Sequence, residues 1–223
     1  MERHKANATL KDFAMSKDNM IRWSGIFLIL AGVCMALGHI IHPSRETPQS
    51  ILAEETRLIS GHWFITFYCA FFMLGLPGLY ASRSKQLGRL GLVGFLFLFF
   101  GTLFYAVSGY YGLFAPVLAR LAPETLDAIN AYPSVIVMTG LFVVLLFLGF
   151  IFFGIAIQRS HAFPPWSGIL IATGWSLFTI CAPLALLIFE PLWILAVLGT
   201  IILGLGLGSV GSVLLSGKEL IET

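Results

Sequence analysis

The chain has 223 residues, 58% of them hydrophobic and only 11% charged, with a net charge of +2 and a mean hydropathy of +0.91. A soluble domain cannot hide that much apolar surface, so the bilayer is the expected solvent. The small net charge gives no reason to expect nucleic acid as a partner. Cys34, Cys69 and Cys181 are odd in number and lack metal-type spacing, so they read as buried free thiols.

Residues 1–21 form a basic leader with Arg3, Lys5, Lys11 and Lys17, expected as a cytoplasmic N-terminal segment. Six apolar stretches follow, at 23–42, 61–81, 90–115, 133–157, 166–189 and 192–215. Each is close to the roughly 20 residues that cross a hydrocarbon core of about 30 Å. A spanning segment must satisfy its backbone internally, which at these lengths means helices. The first stretch is too long for a signal peptide and ends in Gly38-His39-Ile40-Ile41-His42-Pro43 instead of a cleavage site, so it reads as a retained helix. Residues 44–60 and 117–132 read as polar turns with short amphipathic helices, lying in the interface plane and covering the bundle's end. Loops of that length can also act as lids. Residues 218–223 are left as a C-terminal tail.

Lysine and arginine placement sets the expected orientation. With the N-terminus inside, the inner segments carry Arg3, Lys5, Lys11, Lys17, Arg22, Arg83, Lys85, Arg89, Arg159 and Lys218, and the outer ones only Arg45, Arg57 and Arg120. That bias places both termini on the cytoplasmic side of a multi-pass chain. Trp23, Tyr80 and Trp166 serve as inner aromatic anchors. Trp63, Tyr110, Tyr111, Tyr132 and Trp193 lie toward the outer boundary.

The outward-running helices begin alike, at Arg22-Trp23-Ser24-Gly25-Ile26, Arg89-Leu90-Gly91-Leu92 and Pro165-Trp166-Ser167-Gly168-Ile169. They also end alike, at His42-Pro43, Ala115-Pro116 and Glu190-Pro191. Two inward-running helices place Gly78 before Arg83-Ser84 and Gly154 before Arg159-Ser160 at equal spacing. These signals define one transmembrane domain, 22–217, of three parallel helical hairpins: 22–84, 89–160 and 165–217. His42, Ala115 and Glu190 then become equivalent positions at the outer mouth.

Ionisable side chains at membrane depth are costly and mark candidate sites. His39 and His42 share one helix face, with Met35 a turn earlier, and His62 opens the antiparallel neighbour. Three chemistries would use that cluster. His39, His42, His62 and Glu190 offer a ligand set for zinc, or for copper with Met35 as a soft extra ligand. His42 and His62 could instead ligate haem b, with Arg45 or Arg57 near its propionates. Imidazoles beside Glu190 could also relay protons. Against all three stands the reading that these histidines sit at the headgroup level and cap helix ends. The run Gly204 to Gly208 with Gly211 sits inside an apolar helix, where close helix packing explains it better than nucleotide binding.

Leu37-Gly-His-Ile-Ile-His-Pro43, Gly61-His62-Trp63, Gly75-Leu-Pro-Gly-Leu-Tyr80 and Gly88-Arg-Leu-Gly-Leu-Val-Gly-Phe95 resemble a group of uncharacterised multi-pass bacterial membrane proteins of Gram-positive and Chloroflexi type. The resemblance covers about the first half of the chain and implies a six-helix fold, with His42 and His62 at matching positions. It implies no activity. The expectation is an all-α integral membrane protein that binds a metal or haem, as a redox or accessory subunit. Alternatives are a transporter or binding protein for small molecules or lipids, and a structural subunit. Its expected partners are the bilayer and either another membrane protein or further copies of itself.

Overall fold

The structure, a computed structural model, describes residues 16–217. Arg3, His4, Lys5, Lys11 and the tail from Lys218 lie outside the described residues. The described chain is helical, in eight elements: α1 (Lys17–Ile41), α2 (Pro48–Ala53), α3 (Glu55–Gly112), α4 (Ala115–Leu121), α5 (Pro123–Asn130), α6 (Pro133–Arg159), α7 (Pro165–Leu187) and α8 (Leu192–Ser216). Five of them, α1, α3, α6, α7 and α8, are long and apolar enough to cross a membrane.

Local chemistry sets the ends. Ser16 caps α1 by accepting the Asn19 N–H, and Asp18 sits in the first turn, where the helix dipole favours an anion. At the other end, His42 precedes Pro43 and leaves the helical region at ψ 134°, because proline disfavours a helical residue before it.

The longest element, α3, runs 58 residues but leaves helical geometry at Arg83 (φ −133°, ψ 22°) and at Gly88 (φ 61°, ψ −158°). The Gly88 conformation is one that essentially only glycine adopts without strain. The break separates two arms, residues 55–82 and 89–112. The first arm begins six residues before the apolar stretch that announces it, because Glu55 to Ser60 prolong the helix beyond its apolar part. His62 consequently stands about two turns inside α3 and not at its start.

The long helices form a closed ring. α1 packs on α3 and on α8, α3 on α6, α6 on α7, and α7 on α8. The first arm of α3 lies against α1, where Gly75 meets Leu28, and the second arm lies against α6, where Gly94 meets Phe153. Leu28, Met35, Phe72, Leu98, Phe150 and Trp175 fill the interior. The outward faces are apolar too, as exposed Val33, Phe67, Val137 and Leu205 show. Helices apolar all round suit a lipid solvent. Lipid provides no hydrophobic drive between helices, so close approach and dispersion carry the packing. At the α1–α8 seam a β-carbon on Gly32 would stand 2.6 Å from the Gly204 carbonyl oxygen, and one on Gly25 would stand 2.5 Å from that of Gly211.

One end of the ring carries a cap. Ile51 of α2, Leu58 of α3, Ala115 and Ala119 of α4 and Leu126 of α5 form a small separate apolar cluster. Arg120 pairs with Glu55 across it. Segments 44–60 and 117–132 thus pack on each other over the same end as the histidines.

Candidate metal centre

His42 is the first residue beyond α1, tied back by its N–H to the Gly38 carbonyl. Its ring crosses to α3, where a β-carbon on Gly61 would stand 3.1 Å away. His62 projects from the first arm of α3 into space that a side chain on Gly112 of the second arm would need. Each imidazole therefore rests on a glycine, and both are buried. The rings meet edge to face, with centroids 4.8 Å apart and planes at 77°.

Of the three atoms that converge, two are acceptors, Nε2 of His42 and the Glu46 carboxylate oxygen. A carbonyl can only accept, so the 2.7 Å contact from His42 Nδ1 to Pro43 O puts the proton on Nδ1. That leaves the lone pair on Nε2, which lies 3.2 Å from Nε2 of His62 and 3.6 Å from Oε1 of Glu46. The three ligand atoms, from His42, Glu46 and His62, all lie within 4.8 Å of one another, an arrangement that could hold a metal ion. Nδ1 of His62 is buried and makes no hydrogen bond, with the Gly109 backbone as the ring's other polar neighbour.

Beside this cluster lies a cavity of about 340 Å³, within the size range of small-molecule sites. Phe142, Trp175, Phe178 and Trp193 give it an aromatic lining, and His42, Glu46 and His62 stand in its wall. Trp175 also brings a buried indole N–H with no hydrogen-bond partner. α7 contains Pro183 where it borders the cavity.

The structure divides the residues singled out from sequence. His42 and His62 come together. His39 does not join them: its Nδ1 donates to Met35 O at 3.0 Å, and Tyr105 OH lies 3.4 Å from its Nε2. With its edge on Phe178, it is a satisfied core histidine. Glu190 is also apart, paired with Arg45 at 2.9 Å and accepting from Ser44 at 2.7 Å. Arg57 is taken up by Glu54 and by the Ile41 carbonyl.

The carboxylate beside the imidazoles is Glu46, which is absent from the ligand set expected from the sequence. The spacing His42 to Glu46 was available as a signal, but Pro43 ends the helix and removes the periodicity that would join the two. Tyr105, the partner of His39, carried no signal of its own among the aromatic residues of the second arm.

The chain matches no protein-family model, no curated protein and no solved structure. Its functional reading rests on this geometry.

Proposed function

We propose that the chain is a multi-pass membrane protein that holds a divalent transition metal of the zinc class through His42, His62 and Glu46, at the mouth of an aromatic cavity. The observation that carries this reading is the spacing of the ligand atoms. Zinc bonds of about 2.0–2.2 Å to nitrogen and oxygen give tetrahedral edges of about 3.3–3.6 Å. Two of the three observed edges, 3.2 Å and 3.6 Å, lie close to the ends of that range, and the third, between Glu46 and His62, is within 4.8 Å. The Nδ1–H of His42 on a backbone carbonyl is the outer contact that metal-bound imidazoles usually make.

One competing reading has a specific basis. A proton on His62 Nε2 would make the 3.2 Å contact an N–H···N hydrogen bond. It would leave a lone pair on the buried Nδ1 of His62 without a donor, and Glu46 facing the lone pair of His42. A cation between the two Nε2 atoms and the half-exposed Glu46 would satisfy all three of those atoms, with the Nδ1 proton of His62 left to the Gly109 backbone. Haem is less well supported, since axial ligands must stand on opposite faces of a macrocycle and these rings are in contact.

Three protein ligands leave one tetrahedral position for water or substrate, the pattern of catalytic zinc sites. A metal held by these residues would supply Lewis-acid chemistry at the wall of the aromatic cavity, whose lining also includes the unpartnered N–H of Trp175. Hydrolysis or polarisation of a largely apolar substrate with one polar group is the chemistry this arrangement suits.

The membrane topology proposed with it is six crossings in three hairpins, 22–84, 89–160 and 165–217, with both termini in the cytoplasm. A helix of 58 residues would be about 87 Å long, far more than one crossing needs, and α3 is broken at Arg83 and Gly88 beside Lys85 and Arg89. The repeat finds support in matching contacts. Ser24 packs on Gly78 within the first hairpin, as Ser167 meets Ser209 at 2.7 Å within the third. Their neighbours Gly25 and Gly168 face other hairpins, at Gly211 and Gly154.

The test is metal analysis of the detergent-purified full-length chain after chelation and reloading with zinc. One zinc per chain is expected, lost in His42→Ala and His62→Ala. Wild-type protein that takes up no stoichiometric zinc would overturn the proposal.

A further inference from the structure

At the opposite end of the ring from the histidines, three cations line one cavity of about 360 Å³: Lys17 and Arg22 of α1 and Arg83 at the break in α3. Among the described residues Asp18 is the one carboxylate in its wall, and it belongs to the first turn of α1, where the helix dipole already accounts for it. None of the three cations forms a salt bridge with another described residue. The Nε of Arg83 is buried and makes no hydrogen bond. A buried donor without an acceptor is costly, and like charges around one cavity repel. An anion placed there would relieve both.

A second observation indicates which anion. The basic cavity adjoins an apolar groove of about 250 Å³, the two sharing Lys17, Ile21 and Ser82 as wall residues. The groove follows α1 and the first arm of α3 past Trp23, Phe27, Leu74 and Pro77. Trp23 is half exposed beside it, as an indole at headgroup level would be. A polar, positive chamber beside an apolar groove fits an amphiphile with an anionic head. Free phosphate would use only the chamber.

We infer that this end binds an anionic phospholipid, its phosphate held by Lys17, Arg22 and Arg83 and one acyl chain laid along Phe27 and Leu74. Basic pockets between membrane helices are a recurring solution for such headgroups. The site shares no residue with the metal centre, so either proposal can fail alone.

Native mass spectrometry of the full-length chain in detergent tests it, with phosphatidylglycerol and phosphatidylcholine of identical chains as probes. Both heads carry the phosphate, but the choline cation of phosphatidylcholine is repelled by Lys17, Arg22 and Arg83, so phosphatidylglycerol is expected to bind on the order of tenfold more tightly. Arg22→Gln with Arg83→Gln is expected to abolish that preference, and Phe27→Ala with Leu74→Ala to weaken both lipids. Equal binding of the two lipids by wild-type protein would overturn the inference without recourse to any variant. So would an unchanged preference in the arginine variant. Glycerol phosphate that binds as tightly as the lipid and displaces it would also overturn it, and would mark a phosphate site that ignores the groove.

Discussion

The imidazole of His62 lies in the space that a β-carbon on Gly112 would occupy, so the two arms of α3 are fitted together at the candidate metal centre. A methyl group there must either turn the ring, which moves Nε2 away from His42, or push the second arm off the first. Gly112→Ala is therefore expected to lower zinc affinity by about 10- to 100-fold, the range seen when the surroundings of a metal ligand are disturbed. Isothermal titration with zinc reads the affinity, and an unchanged elution profile establishes that the bundle has survived. An affinity equal to wild type would mean that His62 is not a ligand in the orientation described.

Glu46 and Glu190 make a sharper pair. Glu46→Gln removes an anionic oxygen from the centre and is expected to weaken zinc at least tenfold. Glu190→Gln breaks the contact with Arg45 at an exposed site and is expected to leave zinc affinity within a factor of two or so, since exposed ion pairs contribute little. His39→Ala should likewise retain one zinc per chain, because its nitrogens are engaged by Met35 and Tyr105. Loss of zinc in Glu190→Gln with retention in Glu46→Gln would reverse the ligand assignment.

What the sequence disclosed of this site follows from the kind of signal each residue leaves. Hydropathy located the spanning stretches because lipid imposes a length and a composition on each. His42 and His62 stood out because ionisable groups are rare in such stretches. Glu46 gave no such contrast, lying in a polar segment among Arg45, Glu54 and Glu55. Glu190 drew attention through its isolation in an apolar chain, yet isolation says nothing about which neighbour folds onto it. That neighbour is Arg45, whose partner depends on how the turn after Pro43 is directed. The seating of each imidazole on a glycine is a tertiary fact. Gly61 and Gly112 resemble many other glycines until the helices are brought together.

The α1–α8 seam predicts how stability depends on those glycines. A methyl group on Gly32 meets backbone atoms of Gly204, which cannot rotate aside, so Gly32→Ala is expected to cost about 1–3 kcal/mol through forced helix displacement. At Gly140 nothing lies within 4 Å of the added carbon. There alanine should be neutral or stabilise by up to about 1 kcal/mol, through helix propensity alone. Thermal unfolding in detergent should rank Gly140→Ala at or above wild type and Gly32→Ala clearly below it. Equal losses in both would remove close approach as the explanation of the seam.

The break in α3 yields the prediction with the widest reach, because two topologies differ in where they put its ends. If both arms cross the membrane, α2 and α5 stand on the same side and the break at Arg83 to Gly88 on the other. If α3 crossed once, α2 and α5 would face opposite compartments and Lys85 would be buried in lipid. The native cysteines are all buried, so introduced thiols can be read against a low background. Gln49→Cys and Glu124→Cys are expected to react with a membrane-impermeant maleimide in intact cells, and Lys85→Cys only after permeabilisation. Labelling of Gln49→Cys without Glu124→Cys would reject the two-arm crossing. Labelling of Lys85→Cys alone in intact cells would keep the six crossings and invert their orientation, carrying the histidine centre to the cytoplasmic face and the basic cavity to the outer one.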